Sequence, residues 1–212
     1  MKRVKYISRG IEDYSVTYGF QKEILNLIIE GKSPSCLISV VHNPVITIGR
    51  RGSEKDVLAD KKILAGKKIN VVEIERGGQV TYHGLGQLVF YPIFDLKYFK
   101  KDIQWYLDKL GDTVIYALKN FGIEGYVGEE ASVFTGGKKI SSMGVAVKKW
   151  VTYHGVSINV KKDDNFGLIR PCGISSEFMT SMEQEGFNGT VADVERQIKK
   201  SFEKEFEIEL RE

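Results

Sequence analysis

"SVFTGGKKISSMGVAVKKWVTYHGVSINV", residues 132–160, decides the fold. Apolar, β-branched and aromatic residues fall into four short runs: "SVFT", "KISSMGVAV", "WVTYH" and "VSINV". Gly136-Gly137 supplies a turn between the first two. Short runs of this kind, broken by turn residues, predict a meander of antiparallel strands.

Working outward, "QLVFYPI" (87–93) and "INVVEI" (69–74) read as buried strands on either side of a glycine-rich loop. "CLISVVH" (36–42) and "VITIG" (45–49) read as strands joined by an Asn43-Pro44 turn. Residues 102–121 have helical periodicity, with Ile103, Leu107, Leu110, Val114, Leu118 and Phe121 on one face and Gly122 behind. Residues 12–30 place Tyr14, Tyr18, Gln21, Leu25 and Ile28 on a second helical stripe, stopped near Gly31. "SEKD" (53–56) has a capping-box pattern. "TVAD" (190–193) opens a last helix carrying Val194, Ile198, Phe202 and Phe206. The expectation is an α/β (α+β) fold, with helices packed on a mixed, largely antiparallel sheet.

A chain of 212 residues can bury one sizeable core, so one domain over residues 1–212 is expected. A net charge of +3 is too small to imply nucleic-acid binding. No run approaches the ~18 apolar residues of a membrane span, and the first residues lack the apolar stretch of a signal peptide. Two cysteines, neither in a CxxC, make no disulfide framework, and three histidines scattered along the sequence give no metal-ligand spacing. A reducing, cytoplasmic compartment and no metal are expected.

Two stretches carry chemistry. In "RPCGI" (170–174), Cys172 sits between proline and glycine, where neither a helix interior nor a regular strand is comfortable. It is either a thiol presented on a loop or a small buried hydrophobe. Cys36 lies inside an apolar strand and reads as core. A nucleophilic thiol needs a basic neighbour to ionise. Lys139 opens an apolar segment directly after a Gly-Gly turn, although a solvated turn lysine is the commoner reading of that pattern.

"RGGQVTYHGLGQ" (76–87) is neither GxGxxG before a helix nor a P-loop. Arg76 suits a carboxylate, a phosphate or a structural acid. Tyr82 and His83 suit a substrate tunnel or loop hydrogen bonds, and a lone loop histidine is more often structural. Tyr-His-Gly recurs at 82–84 and 153–155, bringing in His154. "GRRGS" (49–53) puts Arg50 and Arg51 at a strand end, either an anion-facing loop or a polar connection.

Four blocks then carry a family likeness: "TIGRRG" (47–52), "RGGQVTYHGLGQLVFYPI" (76–93), "GKKISSMGVAVKKWVTYHGVSINV" (137–160) and "RPCGI" (170–174). Together they resemble the octanoyltransferases of lipoate biosynthesis, in family order across roughly residues 40–182. One departure is Leu85, where the family usually has proline.

The resemblance implies the fold of biotin and lipoate protein ligase catalytic domains. It implies octanoyl-acyl carrier protein as donor, and a lysine of a lipoyl domain or of the glycine-cleavage H protein as acceptor. The family's nucleophilic cysteine falls on Cys172 and its catalytic lysine on Lys139. Arg76, Gly77, Gly78, Tyr82, His83, Gly84, Gly144, His154 and Gly155 would line the acyl site. Backbone N–H groups near Cys172 and Gly144 are candidate oxyanion donors. A thioester donor makes ATP and any other cofactor unnecessary. The competing readings are an ATP-dependent lipoate or biotin ligase and a non-catalytic carrier-binding protein, neither of which needs Cys172.

Overall fold

The structure is a computed structural model describing residues 1–170 and 176–212, so Cys172 lies outside the described residues. Eleven strands and four α-helices are described. They run β1 (Lys2–Glu12), α1 (Tyr14–Ile29), β2 (Cys36–His42), β3 (Val45–Ile48), α2 (Lys61–Gly66), β4 (Asn70–Glu73), β5 (Val80–His83), β6 (Gln87–Ile93), α3 (Ile103–Lys119), β7 (Tyr126–Gly128), β8 (Ser132–Thr135), β9 (Lys138–Lys148), β10 (Val151–Asn159), α4 (Val191–Phe206) and β11 (Ile208–Arg211).

Eight strands form one sheet in the order β11-β1-β2-β6-β10-β9-β8-β7, and three form a smaller sheet, β4-β3-β5. In the large sheet β1 pairs in parallel with β11 and β2, while every other pairing is antiparallel. The meander expected for residues 132–160 is β8-β9-β10. Both long central strands, β6 and β10, are buried at every position, because both faces of the sheet are covered. On one face Leu88, Phe90, Val156 and Ile158 pack with Leu110, Val114 and Leu118 of α3 and Ile198, Phe202 and Phe206 of α4. On the other, Val89, Tyr91 and Tyr153 pack with Leu25 and Ile28 of α1.

Asn43-Pro44 does not close a hairpin. The chain crosses there from β2 in the large sheet to β3 in the small one. β4, read from "INVVEI" as a buried strand, is an exposed edge: Asn70, Val71 and Glu73 face solvent. The core face of α3 is also rotated from the expected stripe. Tyr106 is fully buried and Ile103 is 45% exposed. Tyr106 buries its ring and donates its hydroxyl to the Pro92 carbonyl at 3.3 Å, which an apolar count does not register. The capping box expected at Ser53 forms, before a short 3-10 turn, and a second one, at Thr190, opens α4. No helix among the described residues is long and apolar enough to cross a membrane.

Candidate active site

Between the two sheets lies a narrow cleft, open at its mouth, with about 40 Å3 of free space inside it. One wall is the small sheet and its leading loop, with Arg76, Gly78, Val80, Thr81 and His83. The other is the centre of the large sheet, with Val89 and Tyr91 of β6, Lys139, Ser142, Met143 and Gly144 of β9, and His154 to Ser157 of β10. Tyr14 of α1 and Glu130 complete it.

A register shift in the β8–β9 ladder aims Lys139. Val133 pairs with Ser141 but Phe134 pairs with Lys139, so Ile140 is an extra residue on β9. Such a bulge re-phases the side chains beyond it. Lys139 therefore shares the cavity wall with Ser142 and Gly144, while Ile140 turns into the α3/α4 core. Lys139 is 2% exposed and its neighbour Lys138 faces solvent.

A hydrogen-bond chain links His83 to the backbone of Lys139. His83 Nδ1 donates to Gln87 Oε1 at 2.5 Å, and Gln87 Nε2 donates to Asn159 Oδ1 at 2.9 Å. Asn159 Nδ2 donates to the Thr180 carbonyl, and the Thr180 N–H donates to the Lys139 carbonyl, both at 2.9 Å. The amide orientations assign the proton of His83 to Nδ1. Gln87→Leu keeps the bulk and leaves two buried polar groups unpartnered. The expected cost is about 2–4 kcal/mol from urea unfolding, at ~1–2 kcal/mol per orphaned group, with a loss of turnover as Lys139 shifts. Unchanged stability would refute the chain's structural role.

The histidines, scattered in sequence, meet in space. His42 and His83 rings lie 5.7 Å apart, and Tyr14 stacks on His83 at 6.1 Å. Tyr18 stacks on His154 at 5.6 Å. The repeated Tyr-His-Gly puts one imidazole on each cavity wall: His83 from β5, His154 from β10. Tyr91 donates to His42 Nε2 at 2.7 Å, and His42 Nδ1 donates to the Glu12 carbonyl at 3.1 Å. Among the described residues, Tyr14 Oη and both ring nitrogens of His154 are buried without a hydrogen-bond partner. Buried orphans of this kind call for a functional explanation. His154 also holds φ +58°, an uncommon conformation for a non-glycine residue. No metal-ligand cluster occurs among the described residues.

Burial pushes all three imidazoles down, His42 to about 4 and His83 and His154 to about 3; for His83 the nearby His42 adds to burial. They are neutral in the fold, whereas the unfolded chain takes up protons below its ordinary value near 6.5. Stability is therefore full above that value and falls as pH drops toward 4, by up to ~4 kcal/mol per pH unit for three groups. Urea unfolding from pH 7 to 5 measures this. A flat profile would contradict the buried, neutral trio.

Arg76 is an anchor as well as a wall. Its Nη2 donates to the Thr47 carbonyl at 2.8 Å and to Thr47 Oγ1 at 2.9 Å, and Nη1 donates to the Gly77 carbonyl at 3.0 Å. Gly144 is required opposite it: a Cβ there would lie 2.9 Å from Arg76 Cδ and 3.2 Å from the Gly77 carbonyl oxygen. The Gly77 N–H bonds the Val145 carbonyl at 2.9 Å, fixing the loop to β9. Tyr82 turns away from the cleft, packing on Phe166 and donating to Asp163 at 2.9 Å. Gly84 sits beneath that hydroxyl and Leu85 is exposed. Cys36 is buried among Leu25, Ile28 and Ile93, with its thiol pushed up to about 12 by burial. Tyr14, Tyr91, Ser142 and Glu130 escaped the sequence reading. Only Tyr14, on the stripe of the first helix, left a signal there.

The lipoyl protein ligase A/B catalytic domain family matches residues 13–203. An octanoyltransferase of Caldicellulosiruptor bescii is 42% identical over 179 residues, spanning 82% of this chain and 78% of the relative. One of Thermoanaerobacter pseudethanolicus is 35% identical, spanning 100% and 94%. Among solved structures, a lipoate-protein ligase A bound with ATP superposes with TM-score 0.80 at 16% identity, covering 100% of this chain and 88% of that one. A bipartite lipoate protein ligase from Thermoplasma acidophilum gives 0.79 at 16% identity, covering 100% and 87%. The biotin protein ligase of Aquifex aeolicus gives 0.55 at 15% identity, covering 98% and 70%. The chain belongs to the lipoyl protein ligase A/B catalytic domain family and, within it, is an acyltransferase of the octanoyltransferase group.

Proposed function

We propose that the protein moves an octanoyl group from octanoyl-acyl carrier protein to a specific lysine of a lipoyl domain or glycine-cleavage H protein, through a thioester on Cys172. The observation that carries this reading is the buried amine of Lys139 in a cleft walled by aromatic rings and glycines, in a relative of octanoyltransferases.

Lys139 takes the proton of the Cys172 thiol, and the thiolate attacks the donor's thioester carbonyl. The carbon–sulfur bond to the carrier breaks, and the departing thiolate recovers the proton from Lys139. In the second half-reaction the acceptor's neutral amine attacks the new thioester. The Cys172 thiolate leaves, and the proton shed by the amine returns to it through Lys139. An amide is more stable than a thioester, so the sequence runs downhill without ATP.

Arg76, Gly78, His83, Gly144, His154 and Gly155 form the walls against which the acyl chain lies, with Gly77 tying the Arg76 loop to β9 and Tyr82 and Gly84 supporting them from behind. The whole chain acts as one catalytic domain, and its free thiol chemistry suits the reducing cytoplasm.

Transfer to a lipoyl domain should proceed from octanoyl-acyl carrier protein with nucleotide and magnesium removed. A strict requirement for ATP and free octanoate would instead establish a ligase.

A further inference from the structure

The mouth of the cleft is bridged by an ion pair that the two half-reactions do not use. Glu130 is the exposed member of the described cavity lining and its sole acidic side chain. Its Oε2 accepts from Arg51 Nη2 at 2.5 Å. The partners come from opposite walls. The Arg51 N–H is tied to the Gly78 carbonyl at 3.1 Å, and the carbonyl of Ala131, beside Glu130, accepts from the Met143 N–H at 2.8 Å.

The backbone that presents Glu130 is strained. Glu130 and Ala131 take φ of +54° and +47° in succession, with no glycine at either position. Left-handed residues of this kind are costly away from glycine and cluster at functional sites. The strain does not serve the ion pair, because the two side chains are 60% and 39% exposed. A pair so wetted contributes little and is readily exchanged for another cation.

We infer that Glu130 receives the ammonium of the acceptor lysine, with Arg51 as its resting counterion. The inference rests on the acyl-transfer reading above. An incoming lysine ammonium enters a cleft lined by the guanidinium of Arg76, and the like charge opposes its entry. Glu130 offsets that repulsion and holds the side chain at the mouth before it loses its proton. The neutral thioester of the donor gains nothing from this carboxylate, so Glu130 discriminates between the two half-reactions as a positioning residue.

The test uses the full chain, preloaded with an octanoyl group from octanoyl-acyl carrier protein and discharged in single turnovers by a lipoyl domain or by hydroxylamine, a small nucleophile that is largely uncharged at neutral pH. Glu130→Gln should raise the half-saturating lipoyl-domain concentration about fivefold (~1 kcal/mol). The ratio of lipoyl-domain to hydroxylamine discharge below saturation should fall by the same factor. Arg51→Met, which removes the competing cation, should lower the half-saturating concentration. An unchanged half-saturating concentration in Glu130→Gln, or an equal loss with both nucleophiles, would overturn the assignment. If the wild-type protein takes up no octanoyl group, the transfer reading itself falls, and this assignment with it.

Discussion

Cys172→Ser should fold normally and lose octanoyl transfer, with turnover down by at least ~10^3-fold, as expected when the proposed nucleophile is replaced by a far less ionisable hydroxyl. Thiol attack on a thioester is nearly isoenergetic, whereas a serine would have to form an ester with a much poorer nucleophile. The residue lies in "RPCGI" (170–174), outside the described residues, so its weight comes from that motif and from the match to octanoyltransferases. Cys36 does not take over, since burial keeps its thiol protonated, with the value pushed up to about 12. Circular dichroism and thermal unfolding check the fold, and transfer from octanoyl-acyl carrier protein checks the activity. Near-normal turnover in Cys172→Ser would refute covalent catalysis.

Lys139→Ala has the second-largest effect. In the proposed mechanism both half-reactions pass a proton through this amine, so both should slow, by ~10^2–10^4-fold as is usual for a lost general acid–base group. Lys138→Ala should change neither rate appreciably, because the bulge at Ile140 turns only Lys139 into the cleft and leaves Lys138 in solvent. Lys139→Met separates chemistry from packing, since it keeps most of the buried stem and removes the amine. Rapid-mixing rates of acylation and deacylation for the three variants decide the matter. Equal losses at Lys138 and Lys139 would remove the special role of the latter.

The elements legible in the sequence are those whose burial is strong and periodic. β2, β6 and the β8-β9-β10 meander are apolar runs, and α4 carries Val194, Ile198, Phe202 and Phe206 on a single face, all buried. β1 was not legible. Only Val4 and Tyr6 of its eleven residues are buried, and its place is set by parallel pairing with β2 and with the four-residue β11 far along the chain. β4 misled in the opposite sense, because apolar residues on an edge strand need not face a core.

Lys139, singled out by its place after a turn against the commoner solvated reading, is buried in the cleft wall, whereas Cys172, singled out by its flanking residues, lies outside the described residues. The histidine cluster could not be read, since His42, His83 and His154 meet only once β2, β5 and β10 are assembled. The same holds for Glu130. Nothing in "GEEAS" (128–132) announces that the second glutamate reaches the mouth of a cleft built by residues 76–83 and 139–144.

The most direct measurement is the intact mass of the protein after mixing with octanoyl-acyl carrier protein, followed by peptide mapping. Covalent transfer through Cys172 requires an adduct of about 126 Da, the mass of one octanoyl group replacing a proton. It should lie on the peptide containing Cys172, be absent from Cys172→Ser, and disappear when a lipoyl domain is added. Octanoyl transfer to the lipoyl domain at full rate, with no adduct on Cys172 at any time in the turnover, would contradict it.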